Sequence, residues 1–592
     1  MENRIALQTL IDYYEDFEDC TRDNRKLCER DRDYYDNKQY TADELATFAK
    51  RKQPAIVYNR IKAKVDFTLG LERQIRTDPK AYPRTPMHEK DAESVTDSIR
   101  YVTENNNYDQ KRSSTHKNMQ IEGTGGYEIN VTPSKKGFEI TVIDIDWDRM
   151  WYDPHSRRDD YSDAIYKGIV IWMDEDKALH KFGKDKADIL KNSYDDSMEE
   201  TFADKPSTKW GDRKRKRVKI CYINFQHEGK WHIAYFTKGG YLIEPKVSPF
   251  LDEDGEPVSN LEFQSAFVDR EGNRYGGVRQ LIGPQDEINK RRSKYLHQSS
   301  SRQTYGNKQA IPEPNELKRE LHKPDGHVEI QYGEFGKDFG IIPTGDMEIA
   351  QFNLLQEAKN EIDSVGVNAA MSGKEERNMS GRALIARSQQ GTTEIGPILD
   401  GLRSLDLRTY RTIWNMVRQF WKDEKWIRVT DDERNLKWVG INQKVRVKDK
   451  IIEEHGGIPP ELEGDPRLEQ VVEIQNQLSE LDVDIIIDDM PDTVTIQQEQ
   501  LQMVSEIAMQ RPEIPIDAVV ELTSLRNKEQ LIERIKGSQE QQQQAGQMEQ
   551  MHHELDMADK EAEIRNKNAK AVKDESEAMI NQAEIQYLVQ GG

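Results

Sequence analysis

The chain has only three cysteines in 592 residues, and Cys20, Cys28 and Cys221 are too scattered for a disulfide framework or a four-ligand zinc site. That scarcity points to a reducing, intracellular origin. No stretch approaches the roughly 18 consecutive apolar residues that a membrane span requires. The opening MENRIALQTLIDYYEDFEDC is acidic and amphipathic, without the apolar core of a signal peptide. A soluble chain, cytoplasmic until it assembles, is therefore expected. Apolar residues are scarce overall: 35% hydrophobic against 33% charged, with a mean hydropathy of −0.90. Disorder, or long solvated helices and polar subunit interfaces, would produce such a composition. Nine Trp, 23 Tyr and 15 Phe spread from residue 13 to residue 587 favour the second.

Positive charge is also in deficit, for the formal net charge is −22. A protein that grips DNA over its whole surface should be basic, because affinity comes from neutralising phosphates. If DNA is a partner, it must slide past and be touched only locally. Enzyme signatures are missing too. Gly373-Lys374 lacks the upstream glycine of a phosphate-binding loop and is followed by Glu375. His553-Glu554 has no second histidine in zinc-helix register, and no G-x-S-x-G elbow occurs. The chain should neither hydrolyse ATP nor carry a cofactor.

What is present is a mixed, helix-rich α+β pattern. Leu7, Leu10, Tyr14 and Phe17 recur at helical spacing, predicting a helix over 3–36. A second helix is expected over 56–75, stopped by Thr77-Asp78-Pro79 and the Pro-broken AYPRTP, and a third over 87–121, ending at the 123–126 glycines. From Tyr127 to Val268 strand-like runs follow (YEINV, FEITVIDI, AIYKGIVIWM, VKICYINF, WHIAYFT), interrupted by an acidic helical insertion at about 174–206. Gly283-Pro284 should open a helix, with Asp286 and Glu287 in its first turn and basic residues beyond. An irregular stretch over 304–345 precedes a helix at 346–366, with Met347, Ala350, Leu354, Ala358, Ile362 and Val365 on one face. After the linker NAAMSGKEERNMSG, Ser380 can cap a long helix over 381–425, bent at Gly391 and Gly396-Pro397. Its stripe runs through Ile395, Leu399, Leu402, Tyr410, Ile413, Val417 and Phe420. WIRVT, LKWVGIN and VDIIID predict strands within 426–490, and helices should resume beyond Thr493. In a last helix over 547–588, Met557, Ile564, Ala571, Ala578 and Ile585 repeat every seven residues. The second seam position is polar, which suits a loose barrel of helices or a solvated single helix better than a two-stranded coiled coil.

The chemistry-bearing clusters are few. Asp153, His155, Asp159, Asp160 and Asp163 in WYDPHSRRDDYSDA could hold calcium or magnesium. Arg157 and Arg158 would pair with those carboxylates, however, and Asp-Pro with Ser favours a plain turn, so a metal is not expected. Arg213-Lys214-Arg215-Lys216-Arg217 reads either as a nucleic-acid patch or as the solvated start of a strand that could face an acidic neighbouring subunit. Two basic groups are better placed for DNA. One is Lys290, Arg291, Arg292 and Lys294; the other is Lys374, Arg377 and Arg382 around the glycine-flanked linker. Ordinary surface and helix-dipole charge is the competing reading for each.

Three stretches carry a resemblance: RKQPAIVYNRIKAKVDFTLGLERQIRTDPKAYPRTP at 51–86, YGGVRQLIGPQDEINKRRSKYLHQ at 275–298, and SGRALIARSQQG at 380–391 followed by ILDGLRSLDLRTY. In that order they resemble portal proteins of tailed bacteriophages, particularly short-tailed phages whose portals end in a helical barrel. The WYDPHSRRDDYSDA loop is similar to a turn in the wing of such proteins. The resemblance implies a dodecameric ring at one capsid vertex, a channel for packaging and ejecting double-stranded DNA without sequence readout. It implies a wing at 1–280, a first stem helix at 281–303, a clip at 304–345 and a second stem helix at 346–366. A tunnel loop at 367–380, a long inner helix at 381–425 and a second wing patch at 426–490 would follow. A helical crown at 491–538 and a Gln-rich linker with barrel helix at 539–592 would complete the chain. The clip, with Lys318, Arg319 and Lys323, would dock the large terminase and then the tail adaptor. Major capsid and scaffolding proteins are further implied partners, and no membrane. The protein would sit in the virion, after assembly in the host cytoplasm. The competing functions are another oligomeric head–tail connector protein and a metal-dependent nucleic-acid enzyme built on Asp153–Asp163.

Overall fold

The computed structural model describes residues 5–74, 76, 79–84, 89–134, 137–194, 210–212, 215–300, 304–311, 313–321, 323, 325–330, 332–342, 345–364, 381–430, 436–455, 466–476, 483–487, 557 and 560–580. It falls into two units, Met1–Asp431 with Asn435–Met490, and Asp432–Arg434 with Pro491–Gly592. In the second unit the described residues form one helix over 560–580, exposed along its whole length, with Ile564, Ala571 and Ala578 facing solvent. The other expectations beyond residue 493 lie outside the described residues.

The first unit is α+β. Helix α1 (Leu7–Tyr35) buries Leu10, Tyr14 and Phe17 and turns Asp12, Glu15, Asp16, Asp19 and Asp23 outward, while Glu18 and Asp31 are buried. Helix α2 (Ala42–Arg51), not anticipated from sequence, opens on a capping box: Thr41 Oγ1 accepts from the Glu44 N–H, and the Glu44 carboxylate accepts from the Thr41 N–H. The helix expected from Ile56 begins only at Arg60 (α3, Arg60–Gln74), and residues 53–59 are not helical. The Pro-broken segment forms strand β1 (Pro79–Pro83). The single helix expected over 87–121 is two, α4 (Glu89–Asn105) and α5 (Tyr108–Ile121), divided where Asn107 takes φ +50°. Asparagine tolerates that left-handed conformation better than most residues.

Strands β2 (Thr124–Ser134) and β3 (Gly137–Ile145) lead into β4 (Met150–Tyr152) and β5 (Tyr166–Asp174). The insertion carries α6 (Glu175–Phe182) and α7 (Ala187–Lys191), and its residues 195–206 lie outside the described set. Then come β6 (Gly211–Asp212), β7 (Arg217–His227), β8 (Lys230–Thr237), β9 (Gly240–Val247), β10 (Leu261–Ser265), β11 (Phe267–Val268) and β12 (Arg274–Tyr275). An antiparallel sheet orders as β4-β5-β7-β8-β9 with β6 beside β7, and a second as β10-β2-β3. Gly168 lies opposite Trp151 on β4, and a Cβ there would collide with the buried indole.

The three-stranded sheet separates two cores through its period-two alternation. Leu261 and Phe263 join the core built by α1 and the larger sheet, which includes Trp151, Phe225 and Phe236. Tyr127 and Ile129 point into the other core, with Val95, Ile99, Ile413, Trp414 and Val417.

Beyond β12 the chain forms α8 (Ile282–Ser300), β13 (Thr304–Gly306), α9 (Pro314–Leu321), β14 (Phe339–Ile341), α10 (Gly345–Ser364) and α11 (Gly381–Phe420). Helix α11 continues through Pro397. It buries Ile395, Ile398, Leu402, Tyr410, Ile413 and Val417; Ile398 is buried where the stripe from sequence placed Leu399, which is only partly so. Hairpin β15 (Lys425–Thr430) and β16 (Leu436–Ile441) follows, then β17 (Gln443–Arg446), α12 (Val447–His455), β18 (Val471–Gln475) and β19 (Val483–Ile487). Strand β19 returns to pair antiparallel with β1 across about 400 residues of sequence, so the second strand-rich patch closes onto the first body.

Candidate functional site

Helices α8 and α10 pack together through Ile288, Leu355, Ala358 and Ile362. The buried face of α10 therefore runs through Leu355, whereas Leu354, expected inside, is 36% exposed. One neighbouring helix among the described residues covers only a narrow stripe, and Leu355 rather than Leu354 falls on it.

The opposite attachment of α8 is polar. Gln285, Asn289 and Ser293, four residues apart and all buried, lie along one face. Their side-chain oxygens accept the backbone N–H groups of Arg60 (3.0 Å), Tyr58 (2.9 Å) and Ile56 (3.1 Å). Gln285 Nε2 donates in return to the Tyr58 carbonyl at 2.8 Å, and Asn289 Nδ2 to Gln39 Oε1 at 2.6 Å. Alternate amides of an extended segment thus meet successive turns of a helix, an arrangement that holds only while that segment stays extended. Tyr34 adds a 2.5 Å hydrogen bond to Asp286. This ladder was not read from the sequence, where Gln285, Asn289 and Ser293 look like ordinary solvated positions between charges. Only their regular spacing opposite the PAIVYNR segment could have signalled it.

The basic residues of α8 are mostly engaged within the chain. Lys290 pairs with Glu44 at 3.0 Å, Arg291 with Glu287, and the Arg292 guanidinium lies 4.8 Å from the Tyr58 ring centre, while Lys294 is exposed. Lys374 and Arg377 lie outside the described residues. Arg382 falls in the first turn of α11, and its side chain is likewise not described.

Between α8 and α10, β13 pairs antiparallel with β14 around the buried Ala310 and Phe339. Lys318 and Arg319 are exposed on α9, and Lys323 pairs with Glu320 at 2.6 Å. Tyr332 and Phe335, 72% and 70% exposed, give this small module an apolar outer surface.

The Asp153 loop is a hydrogen-bonded turn. Asp153 accepts the N–H groups of His155 (2.9 Å) and Ile165 (3.2 Å). Asp163 accepts from Ser156 Oγ and the Arg157 N–H, both at 2.7 Å. Burial pushes the Asp163 carboxyl up, but these donors outweigh it and hold it below its usual range. Asp159 accepts from Gln264 at 3.1 Å, and Asp160 from the Ser162 N–H at 3.0 Å. Arg157 and Arg158 meet Asp163 through their backbone rather than, as expected, through their guanidinium groups. Arg274, unanticipated, holds the backbone of the loop instead: buried 3.8 Å from the Tyr161 ring centre, it donates to the carbonyls of Arg158 and Ser156. Arg408 of α11 donates to the Asp160 carbonyl at 3.1 Å and so ties the turn to the long helix. Among the described residues no group of three or more His, Cys, Asp or Glu is arranged to hold a metal. Of the 213–217 run, Arg217 pairs with Asp174 of its own chain at 3.6 Å, and Arg213 and Lys214 lie outside the described residues.

No described helix is long and apolar enough to cross a membrane. The family model for phage P22-like portal proteins matches residues 11–574. A portal protein of Helicobacter pylori bacteriophage KHP30 is 19% identical over 438 residues, covering 73% of this chain and 69% of that protein.

Proposed function

Because the chain belongs to the phage P22-like portal protein family, whose members are structural, non-enzymatic virion components forming oligomeric rings in the capsid, we propose that it is one subunit of a dodecameric ring conducting double-stranded DNA into and out of the head. The observation that carries this reading is the sequence of elements from residue 282 to 420. A helix, a small module and a second helix packed back on the first lead to residues 365–380 and then to a 40-residue helix. In this reading α8 and α10 are the stem, 304–345 the clip and 367–380 the tunnel loop. The strand-rich body with 426–490 is the wing, and 491–592 supplies crown and barrel.

Lys318, Arg319 and Lys323 would face first the large terminase and then the tail adaptor, while major capsid and scaffolding proteins surround the wing. Assembly would take place in the host cytoplasm. Lys374, Arg377, Arg382 and Lys294 would touch DNA, with Lys290, Arg291 and Arg292 contributing weakly because each already has an intramolecular partner. A channel bordered by net negative charge repels phosphate, and isolated cations give contacts cheap enough to break at every step. The occupied carboxylates of the Asp153 loop argue against the metal-dependent nuclease reading.

Negative-stain microscopy with solution mass measurement tests the proposal. Rings of twelve subunits with a central hole are expected. A chain that stays monomeric or dimeric at all concentrations, with or without its packaging partners, would overturn it.

A further inference from the structure

Hairpin β15–β16 has two contrasting faces. Ile427, Val429, Val439 and Ile441 are buried against α4 and α11. The register pairs Trp426 with Gly440 and Arg428 with Trp438, and with Leu436 two residues before Trp438 these side chains share the other face. On it Trp426, Trp438 and Leu436 are 63%, 65% and 69% exposed, and Arg428 is exposed as well. Two indoles, a leucine and an arginine are the residue types concentrated at the centres of protein interfaces. A chain acting alone gains nothing by hydrating them. Gly440 adds a local reason: a Cβ there would press on Gln443 at 2.6 Å and on the Trp426 ring at 3.2 Å, so the glycine lets the indole settle across the strand.

We infer that this face is a subunit interface, and that it seats on the acidic outer face of α1 in the next copy of this chain. The inference rests on the ring reading above and specifies the surfaces that join the subunits. Two observations select the occupant. The first is charge. Asp12, Glu15, Asp16, Asp19 and Asp23 are exposed on α1 at helical spacing; Asp19 and Asp23 pair within the helix with Arg22 and Lys26, which leaves Asp12, Glu15 and Asp16 as the anionic patch to receive Arg428, with Leu27 exposed further along the helix. The second is placement. A closed ring joins unlike surfaces head to tail, so donor and acceptor patches must lie on different sides of the subunit. Helix α1 packs into the core on one side of sheet β10-β2-β3, and β15–β16 into the core on its other side. The two patches are thus backed by opposite faces of one sheet.

The test uses the full chain, with ring formation followed against concentration by mass photometry. Trp426→Ser with Trp438→Ser should raise the concentration for half-assembly about 30-fold or more, while the melting curve of the unassembled chain stays unchanged because both rings are exposed. Arg428→Glu should weaken assembly, and Asp12→Lys with Asp16→Lys in the same chain should restore it. Unaltered assembly of the double tryptophan variant would overturn the inference, even if another protein proved to cover that face. Absence of rescue by the lysine pair would overturn α1 as the counter-surface. If the wild-type chain never forms rings, the ring reading falls first and this one with it.

Discussion

Arg112 of α5 stands where three helices meet. It donates to Glu72 of α3 at 2.7 Å and to Asp406 of α11 at 2.6 Å. Tyr108 completes Asp406 with a 2.7 Å hydrogen bond, and Arg76 and Ser113 complete Glu72. A buried arrangement of this kind is costly to break, because removing one partner strands the others without water. Beside it His116 is fully buried. Burial lowers its imidazole to about 4 from the usual 6.5; Glu72 opposes the shift, and Arg112 and Arg76 add to it. Between those values the unfolded chain binds a proton that the folded chain refuses, so stability is lost as pH falls. At pH 5 the loss attributable to this one residue should be about 2 kcal/mol. Melting the unassembled chain at pH 7 and pH 5 checks it. The wild type should lose more than His116→Gln, and equal losses would show that His116 does not set the acid response.

Helix α8 illustrates what a whole element owes to its neighbours. Its beginning at Gly283-Pro284 was legible because proline fits the first helical turn, while its apolar contact with α10 was legible only on the α10 side, through Ala358 and Ile362, and Ile288 went unread. Its polar ladder was not, since buried and solvated glutamines look alike until the facing backbone is known. The same ladder explains why the predicted helix start at Ile56 slips to Arg60: the amides of Ile56 and Tyr58 reach Ser293 and Asn289 on one side only while that segment is extended. Helix α2 escaped for a different reason, being short and with no fully buried residue, though Thr41 and Glu44 carried a capping signal. Strands β2, β3, β5, β7, β8, β15, β16 and β19 were found from their apolar runs and alternation, whereas β9, β10, β17 and β18 were not singled out, and the β1–β19 pairing joins distant segments and leaves no local trace. Asn289→Ala should lower stability by about 1–3 kcal/mol, because it orphans the Tyr58 amide and the Gln39 side chain together. A thermal melt reads this, and a shift within error would show that water replaces the side chain.

At the scale of the molecule, charge decides how DNA can be handled. The net charge is −22, and three of the four cations on α8 are already engaged within the chain. Binding of a short duplex to the assembled ring should therefore sit near the weak end of non-specific association, about 10⁻⁴ M at physiological salt. Fluorescence anisotropy across a salt series tests this. Affinity near 10⁻⁶ M would mean a sticky channel, incompatible with free sliding. The narrow contact between α8 and α10 carries one more consequence. Among the described residues, detaching α10 from α8 uncovers a cluster of four buried apolar side chains, Ile288, Leu355, Ala358 and Ile362, whereas displacing α11 would open the larger core around Trp414, Ile413 and Val417. Local opening free energies rise with the apolar surface exposed, so the two helices belong to different cooperative units. Amide protons of α10 should exchange with solvent long before those of α11, and the helix leading into residues 365–380 can yield while the one leaving them holds.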